Sequence, residues 1–253
     1  MKDFENSDTT NELNEDCFIS DFYSDQFKYV SISTACDFQT CLICRQFEGK
    51  FFLRSEAPRL PLCPNCSCAY MYYTEYDLPE GAIIRNKNEF VLPAGCVKSV
   101  YKNQRLFRET SDIEQKISLC EEDLKNLKEL MKPYVSANFP VPRDLNCRDL
   151  LPTLYMHLGR WDDAERVIKA CIKAKAYYPK DGSEQQKEFE SYRKVASEAL
   201  LYISKNPGCL QRNVYKSLPY EGVQRDQLKN FLRYSNQIIK EKSGSTNKLY
   251  LNL

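Results

Sequence analysis

The stretch CLICRQFEGKFFLRSEAPRLPLCPNC, residues 41–66, carries two Cys-x-x-Cys pairs, Cys41 with Cys44 and Cys63 with Cys66, separated by 18 residues. Each pair can present two thiolates from one tight turn, and two such turns close a tetrahedral sphere around a thiophilic ion. Four thiolates leave no open position for substrate or water, so the expected ion is zinc and its expected role structural. Cys36 and Cys68 stand near enough in sequence for either to replace one of the four. The other cysteines (Cys17, Cys96, Cys120, Cys147, Cys171 and Cys209) are scattered, mostly on apolar helical faces, and read as core. Twelve cysteines in a chain whose first residues, MKDFENSDTT, lack the apolar run of a signal peptide point to thiols and metal ligands in the cytoplasm.

This pattern resembles a zinc ribbon. The resemblance covers little more than the quoted stretch, and it implies a small β-rich module with no activity of its own. The Cys63-Pro64-Asn65-Cys66 knuckle is also similar to rubredoxin, where iron would imply electron transfer, but Ser67 stands where that family has glycine. Within the loop, Arg45, Lys50, Arg54 and Arg59 interleave with Phe47, Phe51 and Phe52. Such a mixture suits contact with a nucleic-acid strand, and it equally suits the packing that a small metal module needs.

Outward from the cysteines, residues 28–108 read as β-like: Tyr29-Val-Ser-Ile-Ser33 alternates, 70–76 is an aromatic run, and Ile83-Ile84 and Phe90-Val91 flank Asn86-Lys87-Asn88. At 109 the period changes. Ser111 with Glu114 has the form of a capping box. Ile113, Ile117, Cys120, Leu124, Leu127 and Met131 then make one helical stripe, expected to stop at Pro133. The stripe fits either packing within the chain or a short coiled-coil seam. Residues 134–149, with Pro140 and Pro142, read as a linker or crossing loop.

Residues 150–182 contain LLPTLYMHLGRWDDAERVIKACIKAKAYYP, in which Leu158-Gly159 closes one helix and Trp161 and Ala164 open the next, with Ile168, Cys171, Ala174 and Pro179 following. This resembles one tetratricopeptide unit. A lone unit must bury its faces on neighbours, so a helical hairpin packed on adjacent helices is expected, not a peptide-binding superhelix.

Residues 183–253 give a helix expected to be capped by Ser183 and Gln186, with Phe189, Tyr192, Val195, Ala196, Ala199, Leu200 and Ile203 inward. Then come LQRNVYKSL, a third helix over 224–237, and two strands, 238–242 and 248–253, around Ser243-Gly244-Ser245-Thr246-Asn247. This order, with the phrase PGCLQRNVYKSLP, resembles a winged-helix domain. The resemblance implies a recognition helix in a major groove and a wing on the backbone. Asn230 and Arg233 would then face base edges, flanked by Arg225, Lys229 and Gln237, while Lys240, Lys242 and Lys248 on the wing would neutralise phosphates. Asp226 on the same face departs from that pattern.

The net charge of +1 excludes a uniformly basic coat protein. It conceals an asymmetry: residues 1–37 hold nine acids against two lysines, a net of −7, whereas 201–253 hold nine bases against three acids, a net of +6. No apolar run approaches the length of a membrane span. The single histidine, His157, excludes two-histidine metal sites and leaves little for triad chemistry, and no phosphate-cradling glycine loop appears, so no enzyme is expected. The expected architecture is α+β, with an acidic segment at 1–27, the metal module at 28–108, a helix at 109–133, the linker, the hairpin and the winged helix. The expected function is DNA-binding regulation through double-stranded DNA. The alternative is an adaptor that binds protein through the hairpin, the same modules or the acidic N-terminus.

Overall fold

The computed structural model describes residues 26–35, 40–178 and 181–252. The described chain is mixed α+β, with two small antiparallel sheets. The acidic segment up to residue 25, Cys36 and Pro179 lie outside the described residues.

In the first sheet β1 (Tyr29–Ser33) lies between β2 (Phe51–Leu53) and β3 (Ala69–Tyr73). The alternation in β1 sends Val30 and Ile32 inward, and the register sets Val30 opposite both Phe52 and Tyr72. Behind this face Phe47 and Phe52 meet Phe90, with ring centroids 5.0 Å apart for Phe47–Phe90 and 5.7 Å for Phe52–Phe90. Phe90-Val91 therefore contributes to the core without forming a strand. The Gln46 side chain substitutes for a strand partner, donating to Val91 O at 2.6 Å and accepting from Val91 N at 3.0 Å. Ile83-Ile84 likewise forms no strand and makes one bridge to Phe51.

The β-like reading of 28–108 fails at its end, because Val97–Glu109 is a helix, α2. Its inward positions, Val97, Val100, Asn103, Gln104 and Phe107, do follow a helical period. Two of them are polar, which breaks the apolar signal. Helix α3 (Ile113–Ser136) is capped by Asp112, whose carboxylate accepts from Glu114 N at 2.9 Å; Ser111 is not the cap. Nor does Pro133 stop it. A proline lacks a donor and crowds the preceding turn, but in the last turn the helix tolerates it and closes with Ala137 N on Pro133 O at 3.1 Å. The α3 stripe is covered by this chain's own helices, with Ile117, Cys120, Leu127, Leu130 and Met131 buried.

Residues 134–149 are held, not free. Leu145 and Cys147 are fully buried, and α4 (Asn146–Asp149) carries Arg148, which is 7% exposed. Its guanidinium donates to Pro142 O at 2.6 Å, to Ala176 O at 3.1 Å, to Arg143 O and to the Asp149 carboxylate. One cation thus fastens the segment after α3 to the far end of the hairpin.

The hairpin is α5 (Leu151–Leu158) and α6 (Trp161–Lys173), joined through Gly159 at φ 77°, a left-handed turn that glycine adopts without cost. Trp161 packs on Phe189, Tyr192 and Phe231 with centroids 5.9–6.1 Å away. It joins the hairpin to α7 (Ser183–Lys205) and α9 (Gly222–Tyr234). Helix α7 follows Gly182 at φ 65° and is not capped by the Ser183 side chain; Asp181 Oδ1 instead accepts from Ser183 N at 3.1 Å. Between α7 and α9 come β4 (Cys209–Leu210) and α8 (Gln211–Ser217), and after α9 come β5 (Ile238–Ser243) and β6 (Thr246–Leu251). The second sheet has the order β4-β6-β5. Among the described residues no helix is long and apolar enough to cross a membrane.

Between α2 and α3 the Asp123 carboxylate is 2% exposed and accepts from Asn103 Nδ2 at 2.9 Å. Burial pushes it up to about 7, the Asn103 bond opposing and Glu122 adding to the rise. Its folded pKa exceeds its unfolded value of about 3.9, so the stability it contributes is present below the unfolded pKa and is lost as pH rises through about 7. Asp123→Asn should therefore gain stability relative to the wild type between pH 4 and 8. Urea midpoints of both proteins across that range check this; a difference independent of pH would contradict it.

Candidate metal centre and basic face

Two turns bring the cysteines together. Cys41 sits in extended conformation immediately before the single helical turn α1 (Leu42–Arg45), and its carbonyl accepts from Arg45 N at 2.9 Å. The second turn, Cys63 to Cys66, closes with Cys66 N on Cys63 O at 3.2 Å and needs Asn65 at φ 54°, a left-handed conformation that asparagine tolerates. Cys41 Sγ lies 3.6 Å from Cys44 Sγ, and Cys44 Sγ lies 3.2 Å from Cys63 Sγ. Leu62 N donates to Cys66 Sγ at 3.3 Å.

All four cysteines singled out by their spacing meet here, and Cys68 joins them. The thiols of Cys41, Cys44 and Cys63 form one group and those of Cys44, Cys66 and Cys68 another, each within 4.8 Å. The five could hold a metal ion. Cys44 is common to both groups and is 3% exposed. Hydrogen bonding among the thiols drives their acidities apart: Cys41 is lowered by bonds from Cys44 and Cys63, Cys66 by bonds from Cys44, Cys63 and Cys68, whereas Cys44, bonded to Cys41 first, is raised. Thiols this close form a donor set from which a thiophilic cation would displace protons.

The surroundings come from the helical half. Gln104 of α2, 2% exposed, accepts from Asn65 N at 3.1 Å and donates to Asp144 O at 2.7 Å, fastening the second turn to the segment after α3. Pro142, Arg143 and Asp144 of that segment wall a cavity of about 140 Å³ in front of the thiols. Cysteine spacing points to none of these residues. Gln104 could be found only as a polar residue on a helix face that is otherwise inward.

The aromatic residues of the loop pack. Phe47 and Phe52 are fully buried, Phe51 meets Tyr73 with centroids 5.2 Å apart, and Arg54 lies 5.6 Å over Tyr72; Arg45, Lys50 and Arg59 are exposed. His157 is half-buried between Tyr192 and Tyr234, with rings 5.8 Å away on each side, and desolvation pulls it down to about 4.

At the other end of the molecule, α9 buries Gln227, Leu228, Phe231 and Leu232 against α5 and α7. Its opposite side exposes Arg225, Asp226, Lys229 and Arg233, and Asn230 is half-buried at the flank. Gln237 departs from expectation. The helix ends at Tyr234, and the Gln237 side chain packs against Gly159, where an added Cβ would come within 2.9 Å of it.

The three hairpin lysines also separate. Lys240 shares a strand face with buried Ile238, is half-buried and donates to Arg233 O at 2.7 Å; Lys242 is exposed; Lys248 lies on the other face, opposite Glu241. Among the described residues none of Arg225, Lys229, Arg233, Lys242 and Lys248 is paired with a carboxylate within 4 Å.

Comparison of the chain with protein-family models, with curated proteins and with solved structures finds no match.

Because Cys44 belongs to both thiol groups, Cys44→Ser is expected to abolish retention of a metal that purifies with the wild type. Cys68→Ser is expected to leave retention intact. Elemental analysis of both variants tests the assignment; loss of metal in Cys68→Ser would move Cys68 into the ligand set.

Proposed function

We propose that the chain is a DNA-binding regulatory protein in which a structural zinc ion, held by Cys41, Cys44, Cys63 and Cys66, organises the N-terminal module and a C-terminal winged helix grips duplex DNA. The observation that carries the DNA reading is the unpaired basic side of α9 beside the β5–β6 hairpin. The order α7-β4-α8-α9-β5-β6, with β6 between β4 and β5, supports the winged-helix resemblance. Free cations on one exposed helix face are the feature that phosphate neutralisation requires.

Zinc is the reading that the donor set favours. With Zn–S bonds of about 2.3 Å, tetrahedral thiolates stand about 3.8 Å apart. The Cys41–Cys44 separation of 3.6 Å is near that value, and the Cys44–Cys63 separation of 3.2 Å is shorter than it. Four sulfurs complete the sphere, so the ion's part is to staple two turns of a small module, and no catalytic step is assigned to it.

One observation favours docking to protein instead. Val223 at 70% and Ile239 at 47% exposure place apolar surface on the same module. Salt separates the two readings, because phosphate contacts release counterions on binding and apolar docking does not.

For the full-length protein, anisotropy titrations of random duplex should show affinity falling steeply with salt. Lys229→Ala and Lys242→Ala should each lower the log–log salt slope by about 0.9. Arg233→Ala should cost about 1–3 kcal/mol at a preferred site and little on random duplex. Absence of duplex binding at micromolar protein in low salt would overturn the DNA reading.

A further inference from the structure

The fifth thiol is surplus to the proposed zinc sphere. Cys41, Cys44, Cys63 and Cys66 stand in the two turns, whereas Cys68 stands immediately before β3, whose first residue, Ala69, is paired with Ser33 of β1. The sheet register, not a cysteine turn, therefore fixes where this thiol sits. Cys68 is half-buried, and all five cysteines line the cavity that Pro142, Arg143 and Asp144 close.

The five thiols gather in threes. Among the described residues, the groups whose sulfurs all lie within 4.8 Å of one another are Cys41, Cys44 and Cys63, and Cys44, Cys66 and Cys68. Cys44 is common to both, and its sulfur lies 3.6 Å from Cys41 Sγ and 3.2 Å from Cys63 Sγ. Zinc in a structural site takes four donors at once. Soft thiolates also select Cu(I), a closed-shell monovalent ion for which three sulfurs suffice. A thiolate bound to one such ion keeps lone pairs for a second. Two groups of three that share one sulfur are thus the donor set of a pair of Cu(I) ions joined by a bridging thiolate. The charges also correspond, because two cuprous ions bring the same charge as the zinc ion they replace.

We propose that the five cysteines form a two-ion Cu(I) site, one ion held by Cys41, Cys44 and Cys63 and the other by Cys44, Cys66 and Cys68, with Cys44 as the bridge. The inference rests on the reading of the thiol cluster as a metal site. Copper stays Cu(I) throughout the exchange. Two cuprous ions enter, the zinc ion leaves its four thiolates, and the Cys68 thiol gives its proton to solvent as its sulfur bonds copper. Without Cys68 the second group has only Cys66 and the shared Cys44. A Cys68 that merely packed would leave the copper capacity unchanged when removed.

The test uses the full-length protein without oxygen, titrated with Cu(I) as its acetonitrile complex and then exposed to a cuprous chelator that strips loosely held ions. Native mass spectrometry should count two Cu(I) and no zinc in the wild type, and one Cu(I) in Cys68→Ser, with both proteins retaining one zinc before titration. A zinc-binding wild type that holds any other number of Cu(I), or Cys68→Ser still holding two, would overturn the proposal. A wild type that retains neither zinc nor Cu(I) would overturn the metal reading itself, so the two failures are distinguishable. If circular dichroism shows that Cys68→Ser does not fold, X-ray absorption at the copper edge of the loaded wild type decides. Three sulfur scatterers per copper with a copper–copper shell support the bridged pair, and sulfur scatterers without that shell rule it out.

Discussion

Five thiols gathered around Cys44 are the constraint on which the N-terminal half depends. Their sulfurs approach to 3.2 and 3.6 Å, too close for all of them to be anionic without a cation to balance them. The sheet beside them is three short strands around a core of Val30, Ile32, Phe47, Phe52 and Leu62. These residues are continuous with the buried cluster of the helical half. The two cysteine turns occupy the position where a cross-link would join the sheet to the rest of the molecule, and the proposed zinc ion supplies it.

The second joint is ionic. Arg148 gathers the carbonyls of Pro142, Arg143 and Ala176 and the Asp149 carboxylate in a nearly dry site. A buried guanidinium is tolerated only when its donors are satisfied, and here they are spread over segments distant in sequence. Through Arg148 and Gln104 the residues that wall the thiol cavity are tied both to α2 and to the end of α6. Trp161 and His157 continue the connection into the core beneath α9. The outward side of α9 then rests on a packed support, as the proposed DNA contact through Arg225, Lys229 and Arg233 would need.

Where one physical signal dominated, the sequence was legible. The alternation of 29–33, the stripe of α3, the Leu158-Gly159 turn and the two late strands all reappear within a few residues, because each has a simple period or a glycine at a left-handed turn. The paired cysteines were likewise legible from spacing alone. What stayed hidden was satisfied by side chains instead of pattern. Phe90-Val91 looks like a strand but is bonded by Gln46. Helix α2 turns Asn103 and Gln104 inward, so its apolar period is broken. Pro133 reads as a stop, although its position in a last turn makes it harmless. Gln104 reaches the cysteine cluster by tertiary packing, which no local spacing encodes. Gln237 left the helix face for a similar reason, because α9 ends at Tyr234, whereas Lys240, read on the wing strand, lies there half-buried on the face of Ile238.

The central claim is that thiolates alone bind a single ion between the two cysteine turns. X-ray absorption at the metal edge of the purified full-length protein examines it most directly. The account predicts a zinc edge with four sulfur scatterers at about 2.3 Å and no nitrogen or oxygen in the inner sphere. A sphere containing nitrogen or oxygen, or an edge belonging to another metal, would contradict it.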